Sequence, residues 1–171
     1  SVGANNSYAV IVQVTDGTAP VTQSVTVTVT NLNDAPVFTT PSSASVAENQ
    51  IFSHDVNATD GDGDGLTYSL AGGADQAKFD LDLSTGLLTF KTAPDFDNPG
   101  SAAGSNAYSV TIQVTDGTSP VTQAVTVNVT NANDPTTGSV TIGGTAEIGQ
   151  TLSVTDNLAD GDGLGTITYQ W

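Results

Sequence analysis

The chain has 171 residues and carries 18 acidic against two basic side chains, a formal net charge of −16 at pH 7. Nothing in it can neutralise a run of phosphates, which excludes nucleic acid as a partner and disfavours an anionic membrane surface. It has no cysteine, so no disulfide framework or thiolate metal site, and no apolar run approaching the ~18 residues of a membrane span.

Threonine is abundant, at 27 residues, and threonine with valine favours strands over helices. The period-two pattern predicts strands over 8–14 and 21–30, joined by the breaker-rich turn from Asp16 to Pro20. Shorter strands are predicted over 36–39, 44–47, 51–58, 66–70, 78–83 and 87–90, followed by a polar connection from Thr92 to Asn106. Residues 108–114 and 121–130 form a second long hairpin, with Tyr108, Val110, Ile112 and Val114 facing a core. Beyond it, strands are expected over 138–142, 151–155 and 165–170.

Residues Tyr8–Asp34 return as Tyr108–Asp134 with 20 of 27 positions identical and a constant offset of 100. A unit of domain size therefore recurs in tandem. The expected organisation is the last two strands of one unit over 1–34, a complete unit over 35–134 and the opening of a further, different module over 135–171. Residues 135–171 do not repeat the earlier unit in sequence, and three strands cannot close a core of their own. The chain is read as a window on a longer tandem protein, its partial ends completed by that protein or by neighbouring chains. The expected fold class is all-β, with antiparallel sandwiches joined end to end.

The acids collect in loops and linkers. Asp60-Gly-Asp62-Gly-Asp64 places three carboxylates at alternate positions in a glycine loop, and like charges a few ångströms apart repel unless a cation lies among them. Oxygen-only donors select a hard ion, calcium (Ca2+) above all. The run matches the first half of an EF-hand loop, but its twelfth position is Ala71 and no helices flank it, so an EF-hand is rejected. The alternative for this loop alone is a solvated acidic turn.

The order Ala47-Glu48-Asn49, Asp60-x-Asp62, Asp95-Phe96-Asp97, Val114-Thr-Asp116-Gly117 and Asn131-x-Asn133-Asp134 resembles the cadherin repeat in its bacterial form. Further landmarks are the opening Asn33-Asp34-Ala35-Pro36-Val37-Phe38 and Phe79-Asp80-Leu81-Asp82 followed by Ser84-Thr85-Gly86. The resemblance implies Greek-key sandwiches with calcium between successive domains. It assigns Asn31, Asn33, Asp34, Asp60, Asp62 and Asp116 to a first junction. Glu48, Asp95, Asp97, Asn131, Asn133 and Asp134 go to a second, and Asp16 to a junction outside the chain. Asn31 and Asn131 stand where the family has Asp, and Asp97 where it has Glu, implying fewer or weaker sites. Gly144-Thr-Ala-Glu-Ile-Gly-Gln-Thr-Leu152, Asp160-Gly-Asp-Gly-Leu164 and Thr168-Tyr-Gln-Trp171 resemble a bacterial immunoglobulin-like repeat. That resemblance implies that Trp171 is the buried strand-C tryptophan of a sandwich and that Asp160 and Asp162 fall where they can complete the second junction.

The resemblance implies a calcium-stiffened stalk or filament segment of a large bacterial adhesin, extracellular or at the cell surface. Its partners would be the neighbouring domains of the same chain, other copies or cell-surface ligands, with no membrane insertion in this segment. A carbohydrate-binding module needs an exposed aromatic platform, and Tyr68, Phe90 and Phe96 are scattered. A self-assembling filament or surface-layer subunit, pairing through strand edges, is the third reading. No enzyme is expected. His54 is the only histidine, and the acids lie in glycine loops without a cleft. The sequons at Asn5, Asn57 and Asn128 are what a threonine-rich chain produces by chance. Lys78 and Lys91 are read as ordinary surface lysines rather than isopeptide crosslinks.

Overall fold

The structure is a computed structural model and describes residues 6–170; Trp171 and the sequon residue Asn5 lie outside the described residues. The strands in chain order are β1 (Asn6–Val14), β2 (Val21–Val29), β3 (Val37–Phe38), β4 (Ser43–Ala47), β5 (Ser53–Asp55), β6 (Ala58–Thr59), β7 (Thr67–Gly72), β8 (Phe79–Leu81), β9 (Leu87–Phe90), β10 (Ala107–Thr115), β11 (Pro120–Thr130), β12 (Val140–Gly143) and β13 (Ser153–Asp156). A 3-10 turn, Gln76–Lys78, leads into β8.

Between residues 35 and 134 two layers face each other. One is a four-stranded sheet in the order β4-β11-β10-β7. The other is built from the pair β3-β6 and the triplet β5-β9-β8. The alternation read from the sequence holds on the long hairpin. Tyr108, Val110, Ile112 and Val114 of β10 and Val125, Val127 and Val129 of β11 are buried, and meet Phe52, Val56, Phe79, Leu88 and Phe90 of the opposite layer. The aromatic rings interlock, with centroids 4.4 Å apart for Phe79–Phe90 and 5.0 Å for Phe90–Tyr108. Each such side chain contributes roughly 1.5–3 kcal/mol by leaving water.

Three expectations are corrected. The strand expected over 51–58 is two strands, because β5 pairs with β9 while β6 pairs with β3. At the break the Val56 side chain is buried and its N–H donates to Gly86 O at 3.1 Å, while Asn57 N–H donates to Thr40 Oγ1 at 2.7 Å. Second, the sandwich is not wholly antiparallel. The chain changes layers around Pro41, and β4 then runs parallel to β11 from Ser43↔Thr126 to Ala47↔Thr130. Third, residues 165–170 are irregular rather than a strand.

The loop before β9 is a tight turn. Asp82 Oδ1 accepts from Ser84 N and Thr85 N, both at 2.9 Å, and Gly86 N donates back to Asp82 O at 2.9 Å. These bonds, from Thr85 first and then Ser84, hold the Asp82 carboxyl below its usual range. Gly86 sits at φ +78, packed against Val56 O and the Tyr68 ring. Asp75 is buried, and fastens the polar connection to the sheet by accepting from Ala102 N at 2.6 Å and Ser109 N at 2.8 Å.

The flanking segments are barer. β1 and β2 pair from Asn6↔Val29 to Val14↔Val21, in the same hairpin as β10–β11. Yet Tyr8, Val10 and Val14 are 57%, 49% and 69% exposed where Tyr108, Val110 and Val114 are 3%, 0% and 0%. Among the described residues nothing covers that face. The segment from 135 was expected not to repeat the complete unit, but in geometry it repeats its opening. The Val37↔Thr59 pair recurs as a Thr137↔Ala159 bridge, 100 positions on. It then departs from the complete unit, because β12 continues along β13 from Val140↔Asp156 instead of crossing between layers.

Candidate metal centre

The first junction gathers all six residues assigned to it. The linker lies across the Asp60–Asp64 loop, with Asp34 N donating to Asp62 Oδ2 at 2.8 Å and the Asn31 amide donating to Asp62 Oδ1. Asn33 Nδ2 donates to Asp116 Oδ2 at 2.8 Å and to Ser119 Oγ at 3.2 Å. Asp116 is held by its own turn, through Thr118 N and Ser119 N, both 2.6 Å from Oδ1. The Ser119 N–H, then the Asn33 amide and the Thr118 N–H, lower the Asp116 carboxyl below its usual range.

Asp60 Oδ1 accepts from Asp62 N at 2.8 Å and Asp64 N at 3.2 Å, which coils the loop around it. Its Oδ2 is buried without a hydrogen-bond partner. One oxygen from each of Asp60, Asp62 and Asp64 lies within 4.8 Å of the others. In the earlier hairpin Asp16 stands where Asp116 does, and its carboxylate is likewise engaged by its own turn. Thr18 Oγ1, then the Thr18 and Ala19 N–H groups, lower its pKa to about 2.

The second junction is built around Glu48, at the end of β4 and only 1% exposed. Its Oε2 accepts from Phe96 N at 2.6 Å and its Oε1 from Ala132 N at 2.9 Å. The carboxylate thereby joins the Asp95–Asp97 loop to the linker. Oxygens of Glu48, Asp95 and Asp97 lie within 4.8 Å of one another. From the far side, Asp162 Oδ2 accepts from Asp134 N at 2.7 Å, repeating the Asp34–Asp62 contact, and Asp160 Oδ2 accepts from Thr136 Oγ1 at 2.8 Å. Asn133 Nδ2 turns back on Asp134 O at 2.8 Å, as Asn33 does on Asp34 O at 3.0 Å. Among the described residues no hydrogen bond draws Asn131 into the cluster.

Loss of hydration, then the like charge of Asp162, Glu48, Asp134 and Asp95, holds the Asp97 carboxyl above its usual range. The arrangement thus gathers carboxylate oxygens from residues on both sides of the linker and from the linker itself. That donor chemistry, with the orphaned Asp60 oxygen at the first junction, fits a hard divalent cation. The structure adds Asp64 to the assigned residues, and brings Asp162 against Asp134 and Asp160 against Thr136. All three acids were visible as members of Asp-Gly runs, and it is the register of the chain that carries the latter two to the linker.

A two-layer sandwich with acidic loops gathered at its ends defines an immunoglobulin-like β-sandwich module. The chain belongs to the bacterial Ig domain family, whose profile matches residues 33–130. Halomucin of Haloquadratum walsbyi is 42% identical over 52 residues, 28% of this chain and 1% of that protein. The chain thus spans only a small part of that relative. Among solved structures, protocadherin gamma B7 extracellular cadherin domains 1–4 superpose with a TM-score of 0.54 at 18% identity, covering 90% of this chain and 41% of that one. Domains EC1–4 of PcdhgB3 give 0.55 at 20% identity, covering 91% and 40%. Human protocadherin-24 EC1–2 gives 0.51 at 20% identity, covering 74% and 62%. These likenesses show the fold, a β-sandwich of the kind these cadherin domains have. No helix among the described residues is long and apolar enough to cross a membrane.

Proposed function

We propose that the chain is a segment of a calcium-stiffened stalk in a large extracellular or surface-attached adhesin. The observation that carries this reading is the second junction, where carboxylates of the upstream unit, the linker and the downstream loop converge on one place. Glu48, Asp95, Asp97, Asp134, Asp160 and Asp162 would hold calcium there, and Asn33, Asp34, Asp60, Asp62 and Asp116 would supply the downstream half of the first junction. When bound, the ion supplies positive charge that joins oxygens of separate units. Without it, the carboxylates repel across the linker and the hinge loosens. Millimolar calcium outside cells suffices for sites of weak affinity.

The role is structural and adhesive rather than catalytic. The likeness to Halomucin, a very large protein by the share matched, agrees with a repeated surface module. The bare faces of β1 and β2 support the division into a partial unit over 1–34, a complete one over 35–134 and the start of a third over 135–171. Nothing favours a carbohydrate platform, because Tyr68 and Phe90 are buried in the core.

Small-angle scattering of a span with two complete junctions tests the reading. A longer, stiffer particle in millimolar calcium than in chelator is expected. Identical profiles sink the proposal, and a mass above that of a monomer favours assembly through the exposed faces instead.

Asp97→Asn gives a second test with opposite signs in two buffers. A carboxyl whose folded pKa is raised opposes folding once it is ionised, and that penalty disappears as pH falls below its unfolded pKa. In chelator at neutral pH, Asp97→Asn is therefore expected to raise the melting temperature. In calcium the same substitution removes a ligand and lowers it. Melting curves that shift the same way in both buffers contradict the assignment.

A further inference from the structure

We infer that Asn49, which the acidic motif does not number among its ligands, is a positioning residue for the second junction. This rests on the junction reading above. Asn49 is the one non-glycine residue at positive φ among the described residues, at φ 60. That conformation disfavours side chains in general, and Asn tolerates it better than most. The residue is exposed, so no core packing demands it. What the conformation achieves is a double attachment, to the loop and to the linker. Asn49 N donates to Pro94 O at 2.9 Å, tying the turn to the start of the Asp95–Asp97 loop. The side-chain amide then reaches across to the linker, donating to Asp134 Oδ1 at 2.6 Å. The neighbouring Glu48 accepts from Phe96 N and Ala132 N, so the two residues fasten the same loop and the same linker from adjacent positions.

The consequence is a division of labour on Asp134. Its Oδ1 is taken by the uncharged Asn49 amide and its N–H by Asp162. Its Oδ2 lies over Gly161, in the space a Cβ there would need. Asn49 thus aims one oxygen of the linker carboxylate at the downstream loop without adding charge to a crowded cluster. It acts through Asp134 and is not itself a ligand.

Asn49→Gly separates this role from a structural one. Glycine adopts positive φ more readily than Asn, so the turn itself is unharmed or improved. Asn49→Asp keeps the shape and removes the donor. Calcium titration by calorimetry, urea unfolding, and 15N relaxation of residues 131–135 in chelator are the measurements. For Asn49→Gly we expect an unchanged or raised urea midpoint, calcium affinity weakened about five- to tenfold, and faster linker motion. Asn49→Asp should loosen the linker in chelator equally. Unchanged affinity and linker order in Asn49→Gly overturn the inference, and so does a fall in its urea midpoint, which would make the residue a prop of the fold. If the unsubstituted protein binds no calcium, the junction reading fails by itself, and the relaxation data in chelator still decide whether Asn49 holds Asp134.

Discussion

Glu48→Ala is expected to destabilise the complete unit by about 3–6 kcal/mol, because hydrogen bonds to a charged acceptor are worth roughly 1.5–3 kcal/mol each and two donors lose theirs. The Glu48 side chain is 1% exposed and accepts from Phe96 N and Ala132 N. Removing it strands two N–H groups, opens a cavity at the end of β4, and frees the loop and linker together. Glu48→Gln should fall between, since the amide keeps one acceptor oxygen and turns a donor toward the other N–H. The control is Asp95→Ala, an exposed member of the same cluster. In chelator it should cost no more than about 1 kcal/mol, through the exposed bond that Asp95 Oδ1 accepts from Asn98 N at 2.8 Å. Urea unfolding in chelator measures all three. Equal midpoints for Glu48→Ala and Asp95→Ala would show that the buried carboxylate is not a clamp. In calcium both variants lose a ligand as well, so both should fall further below the unsubstituted protein and the gap between them should persist.

Gly86→Ala is expected to cost at least about 3 kcal/mol, combining a left-handed backbone with a steric clash. A Cβ at Gly86 would overlap Val56 O and stand 3.2 Å from the Tyr68 ring. Neither neighbour can withdraw. Val56 marks the change of partner between β5 and β6, and the Tyr68 hydroxyl accepts from Ala58 N at 3.2 Å. The comparison is Gly117→Ala, also at positive φ (+95) but with nothing within 4 Å. It should carry only the conformational cost, about 1 kcal/mol. At the size of this unit, each kcal/mol corresponds to roughly 4–8 °C of melting temperature, so calorimetry separates the two. Similar shifts would show that the loop before β9 yields.

The long hairpins were legible because their faces alternate strictly, and a two-residue period leaves one choice of buried face. The 51–58 segment was not, because its break lies in which partner each half meets, and a pairing partner leaves no local trace. The parallel course of β4 was hidden for the same reason, although Pro41 marks the place. Residues 165–170 carry strand-like residues but lack a pairing partner among the described residues, so tertiary context overrides their propensity. In the candidate site, the carboxylates were legible as types and spacings. What Glu48 does with its two oxygens was not, nor was the reach of Asn49, since that depends on a backbone angle. The Asp160–Asp162 loop was legible as a counterpart of Asp60–Asp62. Its bond to the Asp134 N–H was not, because sequence spacing does not reveal how a linker lies across a loop.

The parallel pairing of β4 and β11 has a mechanical consequence. After the short β3 the chain enters this sheet through β4 and leaves it through β11, and five residue pairs from Ser43↔Thr126 to Ala47↔Thr130 join the two. Tension on the two ends pulls these strands in opposite directions along their length. The backbone bonds between them are loaded together, in shear, rather than peeled apart one after another. Under a pull on its two ends, the sheet therefore resists along the whole seam between its entry and exit strands at once.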